Sequence, residues 1–365
     1  MVPSTCGSAP TSYRRGCHAR RVPLPVRPVL KPALRQVWRD PETLQLGLEP
    51  RRALVLKGLQ PPDTQLLRLL DGSRDVATVF AEANDAGCGP ARAARLIELL
   101  HAADALDDAP PGDPRLAPDL LSLSLVHRGV GAAARVLERR KRAVVSVHGA
   151  GRVGSSLVGL LVAAGVGTVE VLDRRPVRPG DLAPAGIREQ TAGDRASAAA
   201  LPWPARARVV RATSATRGCD LHVIAPAGAT PPPEVLAGVR RRPHLLVAVR
   251  ETTASVGPLV LPGRTPCLRC QQLARADRDP EWARLSAQLV AAGRDDEPCD
   301  VTLATLAASL AAMQALAHLD GAATPQSVGA VVEFDLCETR LRRRSLSAHP
   351  ACGCGAASAE ATMEA

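Results

Sequence analysis

The sequence predicts an α/β protein with a doubly wound, mainly parallel sheet, preceded by a small winged-helix-like domain. The sheet is predicted by residues 143–173, where a strand, a glycine-rich turn, a helix and a second strand follow one another, and by the strand-like and helical apolar segments that alternate after them. A separate group of short strands and helices in residues 36–108 predicts the smaller domain. The 365 residues are enough for two domains of ordinary size.

The first 108 residues divide into an arm and a compact domain. Residues 1–35 are rich in proline, arginine and serine without periodicity, so we expect a flexible arm there. In residues 36–108, alternating leucines predict a strand, and Pro61-Pro62-Asp63 begins the first of three predicted helices. This pattern resembles the PqqD-like peptide-recognition domain, in which the leader of a precursor peptide adds a strand to a sheet edge. A helical DNA-binding or docking module remains the alternative.

Residues 109–142 are predicted to be a linker and a crossover helix, and residues 143–365 a nucleotide-binding domain. Its turn runs from Gly149 to Gly154, directly after a strand of β-favouring residues. Gly149 permits the tight turn, Gly151 allows phosphates to approach the backbone, and Gly154 lets the following helix pack closely on the sheet. The N–H groups at the start of that helix favour anionic oxygen.

Asp173 ends the next strand, 19 residues after Gly154, which is where a carboxylate meets a ribose hydroxyl pair in Rossmann-like folds. The unit therefore predicts nucleotide binding. A glycine turn of a doubly wound sheet that binds no nucleotide is the alternative.

The composition excludes several classes of function. The net charge is +10, but aromatic residues make up only 2%, so the scattered arginines lack the stacking partners typical of a nucleic-acid surface. No apolar run reaches the ~18 residues of a membrane span, and the N-terminus lacks the apolar segment of a signal peptide. We therefore expect a cytoplasmic protein without membrane or nucleic-acid partners, whose ten cysteines are thiols or metal ligands.

Two close cysteine pairs predict a metal site. Cys267 and Cys270 form a CxxC pair, and Cys352 and Cys354 form a tighter pair near the C-terminus. Four thiolates suit a tetrahedral zinc ion, and a full set of cysteine ligands leaves no open position for catalysis, so the zinc would be structural. Free surface thiols are the alternative. Cys299 lies in a loop without an evident histidine partner, so it is not predicted to be a nucleophile.

The turn, the segment from Leu161 to Gly167, the acid after the next strand and the two cysteine pairs together resemble the ThiF/MoeB/HesA family over residues 143–355. The resemblance implies ATP and magnesium, adenylation of the C-terminal carboxylate of a small ubiquitin-like protein, a structural zinc and a homodimer. The residues it assigns to the nucleotide are Gly149, Gly151, Gly154, Asp173 and Arg195, the last at the position of a phosphate-binding lysine. It assigns the zinc to Cys267, Cys270, Cys352 and Cys354.

The sequence departs from this family at the charged positions. Arg175 replaces the second acid of the family's Asp-x-Asp, and residues 181–184 lack the expected asparagine-to-arginine pattern, although Arg188 follows nearby. Residues 221–227, where the magnesium-binding aspartate is expected, contain no acid. Arg152 replaces a second glycine of the turn, where its side chain can fill the phosphate space. Because adenylation depends on such cations and acids, these losses predict a degenerate site.

Three functions are compatible with these observations. The favoured one is a leader-peptide-presenting scaffold that binds ATP or adenylate, as in peptide-azole biosynthesis, where a peptide-recognition domain fused to a ThiF-like domain serves a YcaO-type cyclodehydratase. The second is an active ATP-dependent adenylyltransferase that acts on a peptide or a ubiquitin-like protein. The third, an NAD-dependent oxidoreductase, fits the turn and Asp173 but leaves the cysteine pairs unexplained.

Overall fold

The computed structural model describes residues 24–108, 113–189, 193–200, 208–212, 218–226, 231, 233–291 and 298–356. The chain divides into two compact units, one of residues 1–111 and 124–132, the other of residues 112–123 and 133–365. The predicted arm of residues 1–35 and the linker that begins at residue 109 therefore lie partly outside the described residues.

The described residues of the first unit form five strands and three helices. They are β1 (Pro28–Leu30), β2 (Gln36–Asp40), β3 (Thr43–Leu46), β4 (Leu54–Leu56), α1 (Pro61–Leu69), α2 (Val76–Asp85), α3 (Pro90–Ala102) and β5 (Leu106–Asp108). β2, β3 and β4 form an antiparallel sheet, and β1 pairs with β5. β1 lies within the range predicted as an arm, so the folded unit begins before residue 36; three residues that include a proline are too few to show a period.

The helices of this unit begin and pack as the sequence indicates. α1 begins at Pro61, and the N–H of Gln60 donates to the Asp63 carboxylate over 2.7 Å, which satisfies one of the free groups of the first turn. Arg92 on α3 donates two hydrogen bonds of 2.6 and 2.7 Å to the same carboxylate. A leucine-rich core that includes Leu44, Leu66 and Leu100 lies beneath the three helices.

Two helices follow, α4 (Ala117–Val126) and α5 (Ala132–Arg142). The second unit then alternates strands and helices. They are β6 (Val144–His148), α6 (Arg152–Ala163), β7 (Thr168–Leu172), α7 (Arg195–Ala200), β8 (Arg208–Arg211), β9 (Leu221–Ile224), α8 (Pro233–Val239), β10 (His244–Arg250), β11 (Thr253–Val260), α9 (Leu268–Ala276), α10 (Trp282–Ala291), α11 (Val301–Asp320), β12 (Ala330–Asp335) and β13 (Arg340–Ser345).

The described strands of this unit form one sheet in the order β13-β12-β11-β10-β9-β6-β7-β8. β10, β9, β6, β7 and β8 run parallel, and β11, β12 and β13 add an antiparallel edge. The predicted doubly wound, mainly parallel sheet is therefore confirmed. Because β9 pairs with β6 while the chain passes from β6 to β7, the strand order reverses beside β6, and α/β folds bind ligands at such a reversal.

α6 and α11 cover one face of this sheet. Alternate valines of β6 and β7 point into the core with α6, and the buried alanines of α11 allow that helix to approach closely. α11 is long and apolar enough to span a membrane by length and composition, but its buried alanine face identifies it as a core helix. Arg140 on α5 and Asp320 on α11 form a buried ion pair at 2.6 Å, which joins the end of α5 to the end of α11.

Candidate functional site

The glycine turn connects β6 to α6 at the point where the sheet reverses its order. Gly149 has a φ of +102°, and a Cβ atom there would lie 2.0 Å from the carbonyl oxygen of Ala225. A Cβ at Gly154 would lie 2.0 Å from the carbonyl oxygen of Gly149. Gly151 has a φ of −69°, which other residues adopt readily. Both Gly149 and Gly154 are therefore required by packing of the turn itself.

Asp173 lies directly after β7, beside the turn, and its carboxylate is occupied by protein groups. Its Oδ2 accepts hydrogen bonds from the Ala150 N–H at 2.9 Å and from Arg175 Nη2 at 2.8 Å. Its Oδ1 accepts from the backbone N–H and from Nε of Arg175, both at 3.0 Å. Burial raises the pKa of Asp173, but the bonds from Arg175 and Ala150 outweigh it, so the pKa lies below its ordinary value. The acid predicted to hold a ribose thus holds an arginine.

The predicted phosphate-binding arginine also has an internal partner. Arg195 begins α7, is 3% exposed, and donates from Nε to Asp181 Oδ2 over 2.6 Å. Its Nη1 lies 3.9 Å from Asp173 Oδ2 and has no hydrogen-bond partner in the described part of the chain. A buried guanidinium nitrogen without a partner is costly, so it marks a position where an anion would be stabilised.

Arg152, the first residue of α6, donates from Nη1 to the carbonyl oxygen of Cys299 over 2.6 Å. Its Nε is buried and has no partner among the described residues. Among the described residues, two guanidinium nitrogens without a partner therefore lie at the turn and beside Asp173, those of Arg152 and Arg195. Arg188, the alternative phosphate-binding residue, is exposed at the surface.

The sequence also predicts that the segment after β9 lacks the magnesium-binding acid. The described residues there end with Ala225, whose oxygen faces Gly149, and Pro226. Ala227, the last residue of the predicted stretch, lies outside the described residues. Carboxylates are the protein ligands that magnesium prefers, and this strand end supplies none through Pro226.

The four predicted zinc ligands come together from two distant parts of the chain. Cys267 caps the start of α9, Cys270 lies in its first turn, and Cys352 and Cys354 lie in the turn after β13. All four Sγ atoms lie within 4.8 Å of one another. Zinc–sulfur bonds of about 2.3 Å place tetrahedral sulfurs about 3.8 Å apart. The distances of 3.6 Å from Cys267 to Cys352, 3.6 Å from Cys270 to Cys354 and 3.9 Å from Cys267 to Cys270 match that edge.

The surroundings of the cysteine cluster set the charge of its thiols and hold its two pairs together. Burial, together with the neighbouring thiols, raises the pKa of Cys352 to about 12, so without a cation this thiol stays protonated. A metal ion deprotonates its thiol ligands. His349 Nε2 contacts Asp277 Oδ2 at 2.7 Å, which ties the segment that carries Cys352 to the end of α9. These residues fit a structural zinc, which would link residues 352–354 to the start of α9.

In the first unit, β2 is one of the two edge strands of the three-stranded sheet, because it pairs only with β3 in the described residues. All five residues of β2 are exposed, including Val37 at 41% and Trp38 at 43%. An open edge with apolar side chains is the surface to which an extended peptide adds as a further strand.

Two residues near the turn make contacts that the sequence analysis did not predict. Arg175 and Asp181 stand at positions where the family pattern is broken, but the sequence does not show that they bind Asp173 and Arg195 instead. A basic residue two positions after Asp173 was the available signal for the first contact, since that spacing allows a side chain to fold back onto the acid.

The whole structure is similar to that of MccB. A crystal structure of E. coli MccB with ATP has a TM-score of 0.66 at 14% identity, and the match covers 90% of this chain and 99% of that chain. The microcin C7 biosynthetic enzyme MccB in complex with N-formylated MccA gives a TM-score of 0.65 with the same identity and coverage. PaaA has a TM-score of 0.63 at 15% identity, covering 86% of this chain and 98% of that chain. No family model and no curated protein matches the sequence.

The likeness includes more than the sheet. The second unit comprises residues 112–123 and 133–365, so a match over 90% of the chain also takes in much of the first unit. With the sheet order, the position of the glycine turn and the cysteine cluster, these matches confirm the predicted architecture: the chain has a ThiF-like α/β fold preceded by a small α/β unit.

Proposed function

We propose that this chain binds a precursor peptide or another small protein partner and presents it to a separate modifying enzyme, while its nucleotide site no longer supports magnesium-dependent adenylation. The observation that carries the proposal is the carboxylate of Asp173, both of whose oxygens are hydrogen-bonded by Arg175. A ribose can reach this acid only by displacing the arginine from an ion pair whose acid is almost fully buried.

The turn keeps part of a phosphate site. Gly149 and Gly154 have no side chains that would shield the backbone of the turn. The N-terminus of α6 offers N–H groups to an anion. The nitrogens of Arg152 and Arg195 that lack a described partner favour an anion as well. The acid that would hold magnesium is missing from residues 221–227. We therefore expect residual nucleotide binding through the phosphates, and no acyl-adenylate chemistry, because the metal and the clamps that stabilise the developing charge are incomplete.

The peptide partner is supported by the first unit and by the solved structures. β2 offers an open edge with exposed Val37 and Trp38, and MccB has been crystallised with MccA. On this proposal the first unit is a PqqD-like peptide-recognition domain, and a YcaO-type cyclodehydratase is the enzyme that receives the peptide. A cytoplasmic homodimer with one structural zinc per chain, held by the four clustered cysteines, completes the proposal.

The nucleotide half is tested by titrating the zinc-loaded full chain with ATP, with and without magnesium, beside Asp173→Ala. We expect the same weak ATP affinity with and without magnesium, little effect of Asp173→Ala, and no pyrophosphate exchange. Micromolar binding that requires magnesium and is lost in Asp173→Ala would overturn the degenerate site. It would instead support the second candidate, an active adenylyltransferase, which the free nitrogen of Arg195 and the MccB structure with ATP favour.

The peptide half is tested by selecting displayed random peptides on the immobilised full chain, with Trp38→Asp as the counter-selection. Peptides that bind the wild type and are rejected by Trp38→Asp support docking at β2. The exposed Leu99→Asp on α3 is the matched control and should keep them. Equal enrichment on the wild type and on Trp38→Asp would remove β2 as the peptide site.

A further inference from the structure

A large cavity of about 980 Å³ lies away from the glycine turn, between α8, β10, α9 and α10 and next to the cysteine cluster. Part of its wall is apolar, with Leu236, Leu246, Val260 and Leu289. The rest is strongly basic, and Asp279 is the one acid among the described lining residues. The arginines that line it are Arg240, Arg241, Arg250, Arg269, Arg275 and Arg278.

Arg275 shows that positive charge is crowded in the cavity. Its guanidinium lies 4.9 Å from the centre of the Trp282 ring, and no described carboxylate forms an ion pair with it. Burial, Arg250, Arg344 and Arg278 lower the pKa of Arg275 below its ordinary value, and the opposing effect of Glu333, which is paired with Arg344, is smaller. Like charges that repel one another in a half-buried site cost free energy, and a bound anion removes that cost.

The cysteine cluster does not account for this charge. Four thiolates around one Zn²⁺ carry two negative charges, fewer than the six arginines of the cavity. No described arginine lies within hydrogen-bonding distance of a sulfur of the four clustered cysteines. Arg240, Arg241 and Arg269 also make no ion pair with any described acid. The cavity therefore keeps an excess of positive charge whether or not zinc is bound.

We propose that this cavity binds a small organic polyanion, an apolar or aromatic molecule that carries two or more phosphate or carboxylate groups. Its volume lies at the upper end of the range for small-molecule sites, about 300–1,000 Å³. The planar forks of the arginines match phosphate and carboxylate oxygens in pairs. Trp282 and the leucines supply the apolar wall that such a ligand needs for its body.

The probe is 8-anilinonaphthalene-1-sulfonate, an aromatic anion whose fluorescence rises in apolar surroundings, with ATP (no magnesium) and citrate as competitors. The test variant is Arg269→Glu with Arg278→Glu, two exposed arginines of the cavity. The control is Arg51→Glu with Arg95→Glu, two exposed arginines of the first unit that change the net charge equally. Zinc content and the unfolding temperature of each variant show that it is folded.

We expect the cavity variant to weaken probe binding at least about tenfold, because two charge-assisted contacts become repulsive, and the control to change it less than about twofold. ATP, citrate or both should displace the probe, and the better competitor tells whether phosphates or carboxylates are preferred. Trp282→Phe should reduce energy transfer from tryptophan to the bound probe.

Equal probe affinity in the two double variants, or failure of both competitors to displace the probe, would overturn this site. This test is independent of the proposed function. Asp173→Ala, which tests that function, leaves the cavity unchanged and should bind the probe like the wild type. Displacement by ATP that is lost in Arg152→Ala, at the glycine turn, but kept in the cavity variant would place the anion at the glycine turn and likewise overturn the proposal.

Discussion

The glycine turn and the cysteine cluster were both predicted from short motifs, but the structure leaves them in different states. At the cluster, four sulfurs from distant parts of the chain lie at the spacing of a tetrahedral metal site, with no protein group between them. At the turn, the glycines hold the expected backbone, yet the charges of Asp173 and Arg195 are directed at Arg175 and Asp181. A motif can thus keep its geometry while its charges are redirected inward.

The largest effect should come from breaking the cysteine cluster. Cys270→Ser removes a fully buried ligand, and because metal binding contributes to folding, we expect a loss of about 5 kcal/mol or more of unfolding free energy. Elemental analysis should find one zinc per wild-type chain and much less in the variant, with an unfolding temperature lower by about 10–20 °C. Cys337→Ser, an exposed thiol outside the cluster, is the control. A wild type without zinc, or a variant as stable as the wild type, would remove the structural metal.

The next effect tests the backbone of the turn. Gly149→Ala must place a Cβ atom at 2.0 Å from the Ala225 oxygen at a φ of +102°, so we expect a loss of at least about 3 kcal/mol in urea unfolding. Gly238→Ala on α8, where a Cβ meets nothing within 4 Å, should be neutral or stabilise the protein by up to about 1 kcal/mol. If Gly149→Ala costs no more than Gly238→Ala, the turn is not locked by packing.

Acid should weaken the sheet next to the turn. His148 precedes Gly149, and its Nε2 lies 3.1 Å from Nδ1 of His222 on β9. Burial lowers the pKa of both histidines to about 4, and the neighbouring His148 further lowers that of His222, while Glu170 opposes the shift in both. Between pH 6.5 and 4 the unfolded chain therefore binds more protons than the folded chain, and stability falls as the pH falls.

For His222 alone, which is 1% exposed, the expected loss between pH 6.5 and 4.5 is about 2 kcal/mol. Burial also lowers the pKa of His244 on β10 and contributes in the same direction. The lowered pKa of Asp173 adds to acid sensitivity only below its ordinary range near 3.8. The midpoint of urea unfolding, measured across this pH range, should depend less on pH in His222→Gln than in the wild type. An unchanged slope in that variant would show that the histidine pair does not titrate on unfolding.

The difference between the two motifs also explains what sequence analysis reached. The strand–turn–helix–strand unit, α11 and the cysteine cluster were predictable because steric need and ligand chemistry act through residue type and spacing, as at Gly149 and Cys267. Partner choice was not predictable. Whether Asp173 meets a ribose or Arg175 depends on where a side chain folds in three dimensions. β1 and the basic cavity were missed because their residues are few or dispersed along the chain.

The smallest effect tests the redirected charge directly. Arg175→Ala should free Asp173 while the Ala150 N–H still holds the carboxylate in place. Because the arginine is 43% exposed, its loss should cost only about 1 kcal/mol of stability. Adenosine, which has a ribose but no phosphate, isolates the contact with Asp173. We expect Arg175→Ala to bind adenosine about three- to tenfold better than the wild type, since a hydrogen bond to a carboxylate contributes more than one to a neutral group.

Arg174→Ala is the matched control, because the neighbouring arginine is exposed and removes the same charge without contacting Asp173. Calorimetric titration with adenosine measures the affinity of both variants and of the double variant Arg175→Ala/Asp173→Ala. This double-mutant cycle separates the contribution of the Asp173 carboxylate from the effect of removing one positive charge. The gain should vanish in the double variant. If Arg175→Ala binds adenosine no better than Arg174→Ala, then the pairing of Asp173 with Arg175 is not what excludes a nucleoside. The cause would then lie elsewhere at the turn, where Arg152 at the start of α6 donates to the Cys299 carbonyl oxygen.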